Sequence, residues 1–166
     1  MTKGIVVFDS KGGNTEKLAV AIARGMQRAG LETKVRKIDK ATTKDLIEAD
    51  AVVLGSPTYF ANVTAKMKDF IDRSIKIYPD KLKDKVGAVF TTYGGVGGDL
   101  TAISLIMMML LHRMVIVGHQ SGEFGALSLD TEIEKDIADS EAFGERIGTI
   151  TEAFLAGRGA ERPKKK

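Results

Sequence analysis

With 166 residues, 43% of them hydrophobic and 28% charged, the chain is long enough for one core and too short for two ordinary domains. It contains no cysteine, which excludes disulfides, thiolate metal sites, iron–sulfur clusters and cysteine nucleophiles, and fits a reducing cytoplasm. The net charge of +3 belongs to the C-terminal end: Arg158, Arg162, Lys164, Lys165 and Lys166 against Glu161 carry +4, which leaves −1 for the rest and no basic field for nucleic acid.

Residues 4–8 are continuously apolar and read as a strand buried on both faces. A helix follows over 15–29, with Leu18, Ala19, Ile22, Ala23 and Met26 on one side and Gly30 as its stop. Residues 33–38 alternate, as a strand does at a sheet edge where one face meets water. A short helix is expected over 43–48. Residues 51–55 and 86–90 repeat the continuous apolar pattern of central strands, and between them Val63, Met67, Phe70, Ile71 and Ser74 mark a helix over 63–77. A further helix over 99–112, a fifth strand at 114–117 and a last helix over 140–155 complete the series. The stretch 118–139, with three glycines and weak periodicity, is either a long loop or an insertion carrying a small strand.

This alternation predicts an α/β fold, a doubly wound five-stranded parallel sheet in the order 2-1-3-4-5 with helices on both faces. A single domain is expected over 1–157, with 158–166 a basic, disordered tail. No secretory leader is expected, because apolar strand residues begin at once. The longest apolar run, 103–111, is too short to span a bilayer. The predicted location is cytoplasmic, with no membrane and no specific nucleic acid among the partners.

In this strand order ligands bind beyond the carboxyl ends of the first and third strands, where the connections depart in opposite directions. Three loops at that end carry the chemistry. Ser10-Lys11-Gly12-Gly13-Asn14-Thr15 opens the first helix, where backbone N–H groups and the helix dipole favour a phosphate. It fits neither a Walker motif nor GxGxxG, and a plain glycine turn with an Asn/Thr cap is its bland alternative. Ser56-Pro57-Thr58-Tyr59-Phe60-Ala61-Asn62 places two adjacent aromatics on a polar loop after a buried strand, suited to the flat face of a ring system. Thr91-Thr92-Tyr93-Gly94-Gly95-Val96-Gly97-Gly98-Asp99 has four glycines in five positions, which lets backbone approach a ligand edge. No cluster of His, Asp and Glu has ligand spacing, so no metal is expected. Asp9 either holds a loop or faces the crevice.

The first loop resembles the flavodoxin-like phosphate loop for flavin mononucleotide (FMN), with Gly12 in place of the usual Thr and one phosphate hydrogen bond fewer. The segment from Gly55 to Asn62, with Ala65, Lys66, Met67, Lys68, Phe70, Asp72 and Arg73 after it, is similar to the WrbA-type NAD(P)H:quinone oxidoreductases. Tyr59 stands where that group often has Arg, and Ala61 where it has Gly. The stretch from Leu110 to Val117 is similar to another segment of the same group.

The resemblance covers roughly residues 4–118. It implies FMN held by Ser10, Lys11, Gly12, Gly13, Asn14 and Thr15 at the phosphate, by Pro57, Thr58, Tyr59, Phe60 and Asn62 at the ring and ribityl chain, and by Thr92, Tyr93, Gly94 and Gly95 on the far side. It further implies an oxidoreductase passing electrons from NAD(P)H to a quinone-like acceptor, with His112 near the flavin as the candidate catalytic residue and a histidine that merely satisfies a helix end as its bland alternative. A flavodoxin-type electron carrier that docks on a redox protein is the alternative. Carriers of that family are usually strongly acidic, and a body at −1 lacks the field that steers them. The helix ending at Leu111 is apolar almost all round, Met107, Met108 and Met109 included, which points to a homo-oligomer or to cover by 118–139.

Overall fold

The structure, a computed structural model, describes residues 1–160. Its elements run β1 (Lys3–Phe8), α1 (Asn14–Arg28), β2 (Glu32–Lys37), α2 (Thr43–Glu48), β3 (Ala51–Pro57), α3 (Ala65–Arg73), β4 (Val86–Tyr93), α4 (Gly98–Leu111), β5 (Val115–Ile116), β6 (Ala126–Leu129) and α5 (Ile133–Ala160). A 3₁₀ turn, Ser74–Ile77, finishes the helical stretch begun by α3. The sheet order is β2-β1-β3-β4-β5 with every pair parallel, as the alternating and continuous apolar patterns predict.

The sheet has six strands rather than five. β5 pairs only with Val86 and Gly87 at the start of β4, and β6 pairs with Phe90 to Tyr93 at its end. The far edge is therefore one strand broken in two, and the chain leaves the sheet between Ile116 and Ala126. The stretch 118–139 thus holds both an excursion and a small strand, and α5 begins seven residues before the expected 140. At its other end α5 runs on to Ala160, past the expected start of the tail at 158. Arg158 donates hydrogen bonds to the Asp84 carbonyl at 3.1 Å and carboxylate at 3.3 Å. The remainder of the expected tail, 161–166, lies outside the described residues.

The continuous apolar runs of β1 and β3 supply two cores because successive side chains point to opposite faces. Ile5, Val7, Val52 and Leu54 pack with Leu46, Met67, Phe70, Leu105 and Met109 beneath α2, α3 and α4. Val6, Phe8 and Val53 pack with Leu18, Ile22, Met26, Phe143 and Ile147 beneath α1 and α5. Helices α1 and α5 touch backbone to backbone. A Cβ at Gly144 would stand 2.0 Å from the Ile22 carbonyl oxygen, so only glycine allows the approach.

Candidate functional site

The carboxyl ends of β1, β3 and β4 bring the three loops to one end of the sheet, around a cleft of about 170 Å³. Ser10, Lys11, Gly12, Asn14, Thr15, Pro57, Thr58, Tyr59 and Thr92 line it, all of them singled out in the sequence.

Gly13 (φ +94°) turns the first loop into α1 in the left-handed region that glycine tolerates, and its N–H donates to Ser10 Oγ at 3.0 Å. The first turn of α1 leaves backbone N–H groups without intrahelical acceptors, at the positive end of the helix dipole. A side chain added at Gly12, Gly13 or Gly95 would meet no atom within 4 Å. These glycines border open space, which suits backbone that must be approached by a ligand.

A seam of hydroxyls ties the loops together. Thr15 Oγ1 lies 3.0 Å from Thr92 Oγ1, Thr58 Oγ1 lies 2.8 Å from Thr91 Oγ1, and the Thr58 N–H donates to the Thr92 carbonyl at 2.7 Å. Asp9 is the second fastening. Its carboxylate accepts from Thr64 Oγ1 at 2.7 Å and from the Ser10 N–H at 2.9 Å, while its own N–H donates to the Gly55 carbonyl. Thr64 in turn caps α3 by accepting from the Met67 N–H at 3.2 Å. Asp9 therefore holds the first loop to the start of α3.

Tyr59 and Asn62 exchange backbone hydrogen bonds of 3.0 and 3.1 Å across a tight turn whose centre is Phe60 (φ +51°) and Ala61 (φ +56°). Both central residues lie in the left-handed region, as a type I′ hairpin turn requires, though neither is glycine. The turn holds the Phe60 ring fully in solvent beside the cleft, with Tyr59 half exposed. The Asn62 side chain accepts from the Val63 N–H and so shapes the turn. Tyr93 is not among the residues that line the cleft and packs on the start of α4, where a Cβ at Gly98 would sit 2.6 Å from its ring; burial raises its hydroxyl pKa. Gly94 and Gly95 follow it and are not among the residues that line the cleft, although a Cβ at Gly94 would stand 3.9 Å from the Asp130 carboxylate.

One lining residue was not anticipated. Asp130, the first residue after β6, accepts from Asn14 Nδ2 at 3.1 Å through its carboxylate and at 3.3 Å through its carbonyl. Its N–H donates to the Tyr93 carbonyl at 2.9 Å, which bridges the first and third loops.

His112 does not join this cleft. It ends α4, beside the start of β4, whereas the cleft lies at the end of β4. A helix that returns antiparallel to the strands carries its C-terminal residues to the opposite end of the sheet, so within one chain His112 and the cleft lie apart. His112 is 4% exposed, its Nε2 is 2.9 Å from Ser74 Oγ, and burial lowers its pKa. It lines a separate apolar cavity of about 500 Å³ with Ile71, Ile75, Tyr78, Met108 and Leu111. His119, the other histidine, is buried against Phe143, with Nδ1 2.7 Å from Ser121 Oγ.

Residues 37–124 match the family described as NADPH-dependent FMN reductase, which is more than half of the chain. The chain belongs to that family. Individual relatives include quinone dehydrogenases and flavodoxins. It is 31% identical over 186 residues to an NAD(P)H dehydrogenase (quinone) of Sinorhizobium fredii, covering 98% of this chain and 88% of that one. It is 29% identical to a flavodoxin of Clostridium saccharobutylicum over 86% of this chain and 92% of that one. A WrbA-like flavodoxin structure from Agrobacterium tumefaciens superimposes with a TM-score of 0.81 at 24% identity, covering 93% of this chain and 99% of the other, and carries the fold. Among the described residues no helix is long and apolar enough to cross a membrane.

Proposed function

We propose that the chain is an FMN-dependent oxidoreductase that passes electrons from NAD(P)H to a quinone-like acceptor. The observation that carries this reading is the cleft itself, in which the start of α1, the aromatic hairpin and the end of β4 converge at the carboxyl ends of β1, β3 and β4. The residues fit the cofactor. The first turn of α1, with Ser10 and Thr15, suits a phosphate, the Tyr59–Phe60 hairpin suits a ring face, and the open glycines leave room for both.

When bound, FMN would supply the hydride and electron chemistry. The chain's share is position and electrostatics. The α1 N-terminus offsets the phosphate charge, the threonine seam holds the loops at fixed separation, and the half-exposed Tyr59 and exposed Phe60 border the side from which nicotinamide and acceptor approach. None of the cleft residues is required as a general acid or base. The cysteine-free sequence suits a cytoplasmic location, and the exposed apolar face of α4 suits a homo-oligomer.

The similarity to flavodoxins favours a second reading, an electron carrier without substrate turnover of its own. The body charge of −1 gives it little of the field that steers such carriers. Anaerobic titration of the FMN-loaded protein with NADPH, followed by addition of benzoquinone, separates the readings. Bleaching of the flavin bands by NADPH alone and reoxidation by the quinone are expected. A flavin that binds but resists NADPH without an added reductase establishes the carrier.

A further inference from the structure

Asp130 sits where a phosphate-binding loop would least favour a negative charge. Its carboxylate takes the Asn14 side-chain amide at 3.1 Å, and its other oxygen lies 3.9 Å from where a Cβ of Gly94 would be, so the group stands between the first and third loops. Asn14 gives a further hydrogen bond to the Asp130 carbonyl at 3.3 Å, which commits the side-chain donor that the loop would offer a phosphate. Among the described residues no Lys or Arg pairs with Asp130, so its charge is not offset by a bonded cation. The neighbouring position adds to the effect, since Gly12 has no side-chain donor with which to replace Asn14. Asp130 is also held in place rather than free to swing away, by the Tyr93 carbonyl at its N–H and by β6 before it.

We infer that Asp130 determines flavin specificity: it competes with the FMN phosphate for Asn14 and repels it, so the protein discriminates little between FMN and unphosphorylated riboflavin. The inference rests on the flavin reading of the cleft. A phosphate carries up to two negative charges, and a carboxylate beside its loop opposes both, whereas riboflavin presents only a hydroxyl there. The consequence is a flavin held by its ring more than by its phosphate. Such a flavin exchanges more readily than one anchored by its phosphate.

The test is flavin fluorescence quenching, which gives dissociation constants for FMN and for riboflavin without any turnover. Asp130→Asn keeps the size and the acceptor oxygen while removing the charge; Asp130→Ala removes both. Both variants are expected to bind FMN about twofold to fivefold more tightly, the range for one charge interaction at a partly exposed site, with riboflavin affinity unchanged. The FMN gain should shrink in about 1 M salt, where the Debye length falls to about 3 Å. Flavin binding with FMN affinity unmoved or weakened in both variants overturns this inference alone, as does equal tightening of FMN and riboflavin. Wild-type protein that binds neither flavin overturns the cleft reading together with it.

Discussion

Ser74 Oγ donates to the Ile71 carbonyl at 2.6 Å, so the hydroxyl that faces His112 has no proton left to give. The imidazole must then donate from Nε2, which leaves Nδ1 as a bare acceptor, buried and without a partner. Protonating Nδ1 would bury an unpaired charge, and this is why burial pushes the pKa of His112 down. The sign for stability follows. The unfolded chain takes up the proton near the ordinary histidine value of about 6.5 while the folded chain resists it, so stability is complete above that pH and is lost as pH falls below it. Urea unfolding at pH 7.5 and 5.5 should show a lower midpoint at the acid pH, and His112→Gln, which cannot titrate, should show a smaller drop. An equal drop in both proteins assigns the acid sensitivity elsewhere. The histidine also shows what a local motif leaves unread. Its neighbours resemble a flavin-proximal segment, yet the parallel topology that the same sequence predicts sends every helix C-terminus away from the ligand end of the sheet. Asp130 was illegible for a different reason. It lies 116 positions from Asn14 and is carried there by the four-residue β6, whose Ala-Leu-Ser-Leu gives too short an alternation to stand out among glycines.

The hairpin after β3 carries strain that sequence alone does not display. Phe60 and Ala61 both hold left-handed backbone, which costs a non-glycine residue on the order of 1 kcal/mol or more. The strain has a return, because the turn presents an aromatic ring wholly to solvent beside the cleft. Ala61→Gly removes one strained residue and one methyl group; greater freedom of the unfolded chain offsets part of the gain, leaving about 0.5 kcal/mol of stabilisation. Phe60→Gly relieves strain at the other centre but deletes the ring. It should therefore be no less stable than the wild type while binding FMN about threefold to tenfold more weakly, the value of one aromatic contact. Urea midpoints alongside FMN dissociation constants test the pair, and a Phe60→Gly protein that loses stability with unchanged FMN affinity would show the ring to be structural. At this scale the three loops were legible because glycine, proline and paired aromatics stand out against apolar strands. The type I′ geometry was not, since it is the turn for which Asn-Gly is the usual signal.

Across the whole molecule, the order of five strands was legible because burial on two faces and burial on one leave different patterns, and β2 at the edge shows the expected alternation. The broken sixth strand was not, since two residues of β5 and four of β6 carry too little period to be read as halves of one edge. The apolar excess of α4 was legible as well. Its inner side closes the core through Ala102, Leu105 and Met109, while Leu100, Met107, Leu110 and Leu111 remain outside, Leu111 at 62% exposure. The excursion between β5 and β6 leaves these side chains uncovered, and Ile75 and Tyr78 extend the apolar surface around the cavity that His112 lines. A second copy meeting this patch about a twofold axis would bury it on both chains, and twofold pairing is the commonest symmetry of such contacts. Light scattering on a size-exclusion column should give the wild type twice the chain mass at micromolar concentration. Leu111→Glu places a charge in the patch without touching the flavin cleft at the other end of the sheet, and it should elute as a monomer that still binds FMN. A strictly monomeric wild type would mean that α4 meets solvent as it stands, whereas a dimeric Leu111→Glu protein would place the contact on another face.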